Sequence, residues 1–287
     1  MNKVVSKKVL ILELNEFNVE LLKTAVEKLR LPNFSQLLQF KRYEYISDDK
    51  VESYDGGGLE PWIQWVSIHT GFPLSQHKIR NLGDVPDSSV KQFWEVLEEN
   101  NLTTGIWGVM SGRGPDNSSK NVSFFLPDPW TISETATPKE LNDFLELPRY
   151  IASNYYYLSP WSILIKGWKF AKIIFKNGLA GVVFLELLKL FPAILRFKFQ
   201  YFIFSLFFDF ISTKLFLKYK NKCQPDCCVL FINSIAHIQH HHWVEEDKKI
   251  TAPIAFGLEY IDKLFSDLLS RRGCNETIVL HNGLSQK

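Results

Sequence analysis

The stretch VLILEL, residues 9–14, is an almost uninterrupted apolar run close to the start of the chain. Such a run, without polar alternation, is typical of a central strand in a parallel sheet, where both faces are buried. Asn18 follows as a suitable helix N-cap, and the next apolar residues recur at helical spacing: Leu21, Leu22, Val26 and Leu29. The sequence therefore opens with a strand–helix unit.

Further along the chain, strand and helix patterns keep alternating. Strands are predicted at Tyr43–Ile46, Thr104–Val109, Cys228–Ile232 and Thr277–Leu280, and helices from Pro32, at Ser89–Glu98 and at Pro253–Leu269. This alternation predicts an α/β fold with a mostly parallel central sheet flanked by helices.

The segment 138–222 departs from this pattern, because it is densely apolar, rich in Phe and mostly helical. We interpret it as a helical cap inserted into an α/β core formed by residues 1–137 and 223–287. Charges such as Glu186 and Asp209 interrupt its apolar runs, which favours a soluble cap. A cap that rests on a membrane through residues 155–220, or a membrane span, stay open as alternatives. Seven basic residues would suit anionic lipid headgroups: Lys166, Lys169, Lys172, Lys176, Lys189, Arg196 and Lys198.

Composition argues against several classes of protein. The net charge of +2 gives no reason to expect nucleic-acid binding. Four cysteines lack the paired spacing of a zinc ribbon, and Cys227 and Cys228 are predicted to be buried free thiols. The first apolar run is too short for a signal peptide and is broken by Glu13, so we expect a cytoplasmic protein whose cap is its only candidate for membrane association.

Five short motifs follow one another along the chain. They are Asn15-Glu16-Phe17 after the first strand, LPNFSQL at 31–37, SIHTG at 67–71 with His77, YIDKL at 260–264, and LHNGL at 280–284. Together they resemble the alkaline phosphatase superfamily, especially its phosphodiesterase/nucleotide pyrophosphatase and sulfatase branches. The resemblance spans nearly the whole chain outside the cap and implies an alkaline phosphatase-like sheet. It also implies a divalent metal such as zinc, held by Asp and His at strand ends, and a metal-activated nucleophile.

The positions that match the family's metal ligands carry neutral side chains here. Asn15 and Asn233 stand where the family has Asp, His237 is retained, and His281 and Asn282 replace an Asp-His pair. Because an amide oxygen is a weaker ligand than a carboxylate, the metal affinity should fall. Local roles stay open for two of these residues: Asn15 as a loop cap and His237 as a hydrogen-bonded loop histidine.

The position that matches the family's nucleophile is Pro61, which has no nucleophilic atom. Its neighbour Glu60 is the candidate catalytic residue, as a general base. His240 and Gln64 are the candidates for contact with a substrate.

These departures leave several classes of function open. The resemblance implies a phosphodiesterase-like hydrolase of small-molecule phosphate or sulfate esters. The alternatives are a catalytically inactive module that binds a phosphorylated or sugar ligand, and a membrane-surface protein of glycan or envelope assembly. The chain ends shortly after Gly283, where the superfamily has further strands, so we expect a C-terminally truncated form or a fragment. The alternative is a shortened fold in which the last strand is a genuine edge strand.

Overall fold

Five parallel strands form one sheet in the computed structural model, which describes residues 7–49, 58–116, 118–243, 250–270 and 275–285. Within these ranges the strands are β1 (Lys8–Leu14), β2 (Thr104–Trp107), β3 (Val122–Leu126), β4 (Cys227–Ile232) and β5 (Glu276–His281). Their order across the sheet is β3-β2-β4-β1-β5, and each neighbouring pair is parallel. The predicted α/β class is therefore confirmed.

Helices cover both faces of the sheet. They are α1 (Val19–Lys28), α2 (Pro32–Leu37), α3 (Pro61–Thr70), α4 (Leu74–His77), α5 (Phe93–Glu99), α6 (Asn142–Ser153), α7 (Pro160–Lys176), α8 (Ala180–Arg196), α9 (Tyr201–Cys223), α10 (Ser234–His242) and α11 (Ala252–Ser270). The N-cap predicted for the first helix is confirmed, because Asn18 Oδ1 accepts a hydrogen bond from the Leu21 amide at 2.8 Å.

Two local predictions need correction. The strand predicted at Tyr43–Ile46 is wrong: residues 41–49 form no strand, and Tyr45 and Ile46 are 85% and 96% exposed. Alternating apolar residues do not hold a strand without a neighbour to accept its backbone hydrogen bonds. The helix predicted from Ser89 begins at Phe93 instead, because Gln92 and Glu95 form a capping box.

One strand was not predicted at all. β3 is only five residues long, and Asn121, Ser123 and their neighbours resemble a loop in composition. Its Phe124 and Phe125 are nevertheless buried, one on each face of the sheet.

The alternation of side chains along β1 assigns the two faces. Leu10, Leu12 and Leu14 belong to the larger apolar core, with α1, α2, α9, α10 and α11. Ile11 lies on the other face, where Trp65 of α3 and Trp94 of α5 are fully buried. Glu13 follows Ile11 by two residues and therefore also faces α3.

The helix α9 belongs to the core of the sheet. Trp107 on β2 donates from Nε1 to Ser212 Oγ at 2.7 Å, and Phe216 packs edge-on against Phe124 of β3. Lys220 pairs with Glu276 of β5 at 2.8 Å. The division of the chain at residues 138 and 222 stays a prediction, but α9 shares one apolar core with the strands.

The helices α7 and α8 form a bent pair beside this core. Among the described helices, none alone is long and apolar enough to cross a membrane, while α7 and α8 taken together meet that length and composition with a bend of 119°. Both helices expose large apolar side chains, including Trp161, Trp168 and Phe184.

The thiols behave as predicted where the structure describes them. Cys227 and Cys228 on β4 are buried and free. Burial raises the pKa of Cys227 to about 12, so this thiol stays protonated near neutral pH. Cys274 lies outside the described residues.

Candidate functional site

The candidate site lies at the carboxyl ends of β1 and β4, two neighbouring strands in the sheet. From β1 the chain proceeds towards β2 on one side, and from β4 it proceeds towards β5 on the other. Open α/β sheets bind ligands outside the carboxyl ends of their strands, and we call the space outside the ends of β1 and β4 the crevice. Asn15 directly follows β1 and Asn233 directly follows β4, so the sheet brings together two residues 218 positions apart.

A hydrogen-bond chain with a fixed direction runs across this crevice. Trp65 Nε1 donates to Asn15 Oδ1 at 2.8 Å, and Asn15 Nδ2 donates to Asn233 Oδ1 at 2.8 Å. Asn233 Nδ2 lies 3.3 Å from His237 Nε2. An indole nitrogen can only donate, so it fixes the orientation of the Asn15 amide and, through it, that of Asn233. His237 Nε2 is therefore an acceptor, and the ring proton is on Nδ1.

The surroundings of His237 keep this ring neutral. Burial, followed by repulsion from His240 and His241, lowers the pKa of His237 to about 4. A neutral ring is the form that accepts the Asn233 amide. His237 Nδ1–H makes no hydrogen bond to any described residue, so it remains a donor for a ligand.

His240 joins the site through Glu16. Its Nε2 is 3.2 Å from the Glu16 carboxylate, and this hydrogen bond raises the pKa of His240. Glu16 also receives Asn15 Nδ2 at 3.3 Å, while its carbonyl accepts from Gln239 Nε2 at 2.7 Å. The carboxylate is buried.

The direction of α3 places its N-terminus above the carboxyl edge. Trp65 contacts Asn15 just beyond β1, and His69, one turn later, lies 2.8 Å from Glu13 within the strand. The helix therefore runs antiparallel to β1, with Glu60 as N-cap and Pro61 as its first residue. The Glu60 side chain makes no capping hydrogen bond, and its role as a general base stays a prediction.

Three further candidate residues contact their neighbours in the fold: Gln64, His281 and Asn282. Buried Gln64 donates to the Asp49 carbonyl at 3.4 Å, and Asn282 Nδ2 donates to the Phe17 carbonyl at 2.9 Å. His281 packs beside Trp65 with ring centres 5.8 Å apart, and burial lowers its pKa. His281 thus touches the network through Trp65, while Gln64 and Asn282 contribute to loops around it.

Ser67 and His77 are close together without the geometry of a nucleophile and its base. His77 Nδ1 accepts the Ile79 amide at 3.1 Å, so its proton is on Nε2, which faces Ser67 Oγ at 3.0 Å. Ser67 Oγ in turn donates to Asp49 at 2.9 Å. A ring nitrogen that already carries a proton cannot accept the serine proton, so Ser67 and His77 are not arranged as a nucleophile and its base.

The two amide oxygens at the family's metal-ligand positions already accept hydrogen bonds. The Asn15 oxygen accepts from Trp65 and the Asn233 oxygen accepts from Asn15, so both oxygens at the family's ligand positions are already engaged. Among the described residues, no three His, Cys, Asp or Glu side chains form a group that could hold a metal ion. The expectation of zinc stays a prediction.

A cavity of about 320 Å³ adjoins the crevice. Asn233, His237 and Asp209 line one end of it, and the rest of its wall is mostly apolar, from α6, α7, α9 and the ends of β3 and β4. Asp209 Oδ2 accepts the amides of Asn233 and Ser234 at 3.2 and 2.8 Å, and so caps α10 from another helix. Burial raises the pKa of Asp209 to about 6.

Sequence reasoning missed the contribution of α9 to this cavity. Tyr201, Ser205 and Asp209 recur every four residues, and Ser212 follows three residues later, so they share one side of the helix. A polar stripe at this spacing within a Phe-rich helix is the signal that could have predicted them. The pair formed by Glu13 and His69 was missed as well, because its partners lie on different elements.

Comparisons with known proteins identify no relative. The chain matches no protein-family model, and neither a curated protein nor a solved structure is significantly similar to it.

Proposed function

We propose that this chain binds a hydroxyl-rich, sugar-type ligand in the crevice between β1 and β4, on an alkaline phosphatase-like scaffold without the superfamily's nucleophile. The observation that carries the proposal is the hydrogen-bond chain from Trp65 through Asn15 and Asn233 to His237, whose last two members line the cavity. Amide and neutral imidazole groups donate and accept, as hydroxyl groups do.

The charge of the site favours an uncharged ligand over a phosphate or sulfate ester. Two buried carboxylates belong to the network, Glu16 and Asp209, and no lysine or arginine is among the described residues that line the cavity. An anion would meet these carboxylates in a medium of low dielectric constant, where repulsion is strong. A sugar hydroxyl can instead donate to a carboxylate and accept from His237 Nδ1–H. Hydrolysis of phosphate or sulfate esters stays a prediction of the resemblance alone.

A thermal-shift panel tests this function. The probes are methyl glycosides of glucose, galactose, mannose and N-acetylglucosamine, with inorganic phosphate and sulfate beside them. A glycoside present at tenfold its Kd should stabilise the protein by about 1.4 kcal/mol through mass action. His237→Leu removes the Nδ1–H donor and should abolish the shift, while the exposed His241→Leu, on the same helix, should preserve it.

Two results would count against this function. One is a panel in which no glycoside stabilises the protein. The other is turnover of nitrophenyl phosphate or sulfate that requires Glu60, which would restore the hydrolase.

A second candidate function is association with a membrane surface, and the specific observation is a pair of exposed apolar stripes. On α7 the stripe is Trp161, Leu164, Trp168 and Phe175, each at least 62% exposed, and on α8 it is Phe184, Leu188, Phe191 and Leu195, each at least 55% exposed. Both sets follow helical spacing, so each forms one continuous face. Between residues 158 and 200 there are seven basic residues and one acidic residue, Glu186, which suits an anionic bilayer.

Flotation with anionic and neutral liposomes tests this association. A deletion of 155–220 would also remove α9 from the core, so point changes are required. The triple change Trp161→Gln, Trp168→Gln and Phe184→Gln should abolish binding to anionic liposomes. Ile132→Gln and Leu102→Gln, at exposed apolar positions elsewhere, should leave it intact. A dimer in gel filtration that the triple change dissociates would show that a second copy covers these stripes instead.

A further inference from the structure

We infer that the cavity beside the crevice holds the hydrocarbon chain of an amphiphilic ligand, whose hydroxylated head lies against Asn233 and His237. This inference rests on the proposed function and adds the class of ligand: a sugar-type head joined to a single alkyl or acyl chain.

The distribution of polar groups along the cavity carries the inference. Most of its wall comes from apolar side chains, among them Leu145 and Ile151 of α6, Phe170 of α7, and Phe207 and Phe208 of α9. Its charged and amide groups are Asp209 and Asn233, which lie next to His237, and the Asp209 carboxylate accepts the Asn233 backbone amide. Three hydroxyls of α9 also line it, on Tyr201, Ser205 and Ser212, and that of Ser212 already accepts a hydrogen bond from Trp107. A hydrocarbon needs no hydrogen-bond partner, so the apolar side chains that make up most of the wall can pack against it.

The depth of the cavity suits a chain that enters from the surface. Tyr201 and Phe204, at the start of α9, are 54% and 49% exposed, while Leu145 and Ile211 are 1% exposed. The lining therefore runs from solvent to the core. A volume of about 320 Å³ is at the small end of the range for ligand pockets, which suits a single alkyl chain.

The residues at the cavity entrance follow the exposed stripes of α7 and α8 closely in the sequence. Only residues 197–200 separate the end of α8 from Tyr201, and Phe199 among them is 65% exposed. The end of the α8 stripe and the cavity entrance are therefore only a few residues apart in the sequence.

Chain-length dependence of binding tests the inference. The probes are butyl, hexyl, octyl, decyl and dodecyl β-glucosides, each below its micelle concentration, titrated into the full chain by calorimetry. Each added methylene should tighten Kd about fourfold until the cavity is filled, after which the gain should stop at one of the longer probes. Ala152→Phe places a large side chain on the cavity wall and should remove this dependence. Ser153→Phe, its exposed neighbour that does not line the cavity, should keep it.

The outcomes separate this inference from the function on which it rests. In one outcome, methyl glycosides bind through His237 but the affinity for alkyl glucosides does not depend on the length of the alkyl chain. That outcome would overturn the inference and leave the proposed function standing. A chain-length gain that survives Ala152→Phe but is lost in Trp168→Gln would place the hydrocarbon on the outer stripe and overturn it too. Circular dichroism checks that the variants fold, and Ser205→Phe, on the part of the wall that α9 supplies, replaces Ala152→Phe if that variant does not.

Discussion

The indole nitrogen of Trp65 lies 2.8 Å from Asn15 Oδ1, and this contact sets the direction of every hydrogen bond beyond it. Because indole nitrogen never accepts, Asn15 must turn its oxygen to Trp65 and its amino group to Asn233. Asn233 then turns its own amino group to His237. One tryptophan on α3 thus determines the tautomer of a histidine on α10.

Asn15→Asp should reverse this chain. An aspartate accepts from Trp65 and also from Asn233, so the Asn233 amide turns over and presents its oxygen to His237. That oxygen, with the added negative charge, favours a protonated ring. The pKa of His237 should rise from about 4 by at least about one unit. An NMR titration of the ring protons measures it, with His242 as the internal reference. An unchanged His237 titration would contradict the fixed direction of the chain.

His237→Gln should change how stability depends on pH. The folded pKa of about 4 lies below the ordinary 6.5, so in the wild type only the unfolded state gains this proton as the pH falls from 6.5 to 4. Acidification over that window should cost the wild type roughly 2–3 kcal/mol from this group, and the variant nothing. Asp209, with its pKa raised to about 6, acts in the opposite direction and is present in both proteins. Urea unfolding at several pH values measures the free energy of unfolding of both proteins. If it depends on pH equally in the wild type and the variant, the prediction is wrong.

Gly283→Ala should destabilise the protein more than Gly71→Ala. Both glycines have positive φ, +68° and +71°, which costs a Cβ-bearing residue about 1–2 kcal/mol. A Cβ at Gly283 would also lie 2.7 Å from the Trp65 ring, whereas a Cβ at Gly71 meets nothing within 4 Å. We expect a loss of about 2–4 kcal/mol at Gly283 against about 1 kcal/mol at Gly71. Equal losses by urea unfolding would mean that Trp65 moves aside freely.

Lys220→Met should destabilise the attachment of β5. The Lys220 and Glu276 side chains are 10% and 3% exposed, so the change leaves a buried carboxylate without a cation. The expected loss is about 3–5 kcal/mol, and adding Glu276→Met should recover most of it. Lys176→Met, which breaks the exposed pair with Glu140, should cost less than about 1 kcal/mol. A loss at Lys220 as small as that at Lys176 would contradict the role of burial.

The pair Asn15→Asp and Asn233→Asp tests the superfamily resemblance. Two carboxylates beside His237 would supply three ligands of the kinds that zinc prefers. We expect the double variant to take up about one equivalent of zinc in calorimetry, and His237→Ala to remove most of that binding. A double variant that takes up no more zinc than the wild type would show that these strand ends do not share the superfamily's ligand geometry.

Elements with strong local patterns were predictable from sequence. The apolar runs that became β1 and β4 lie in the interior of a parallel sheet, where strands of this composition are expected. The long periodic helix predicted at Pro253–Leu269 is confirmed as α11. Tyr43–Ile46 failed because its strand-like pattern has no neighbouring strand, and β3 was missed because its five residues include polar ones.

Some features of the candidate site were likewise predictable from sequence, and others were not. That Asn15 and Asn233 follow strands was readable from the chain, and parallel strands carry such residues to one edge. The sequence by itself thus determined the class of fold and which polar residues stand at the strand ends, because burial and periodicity are local properties. Only the tertiary structure decided that Trp65 orients Asn15, that Asp209 caps α10, and that α6 and α9 enclose an apolar cavity. These depend on contacts between residues far apart in the chain, which no local pattern specifies.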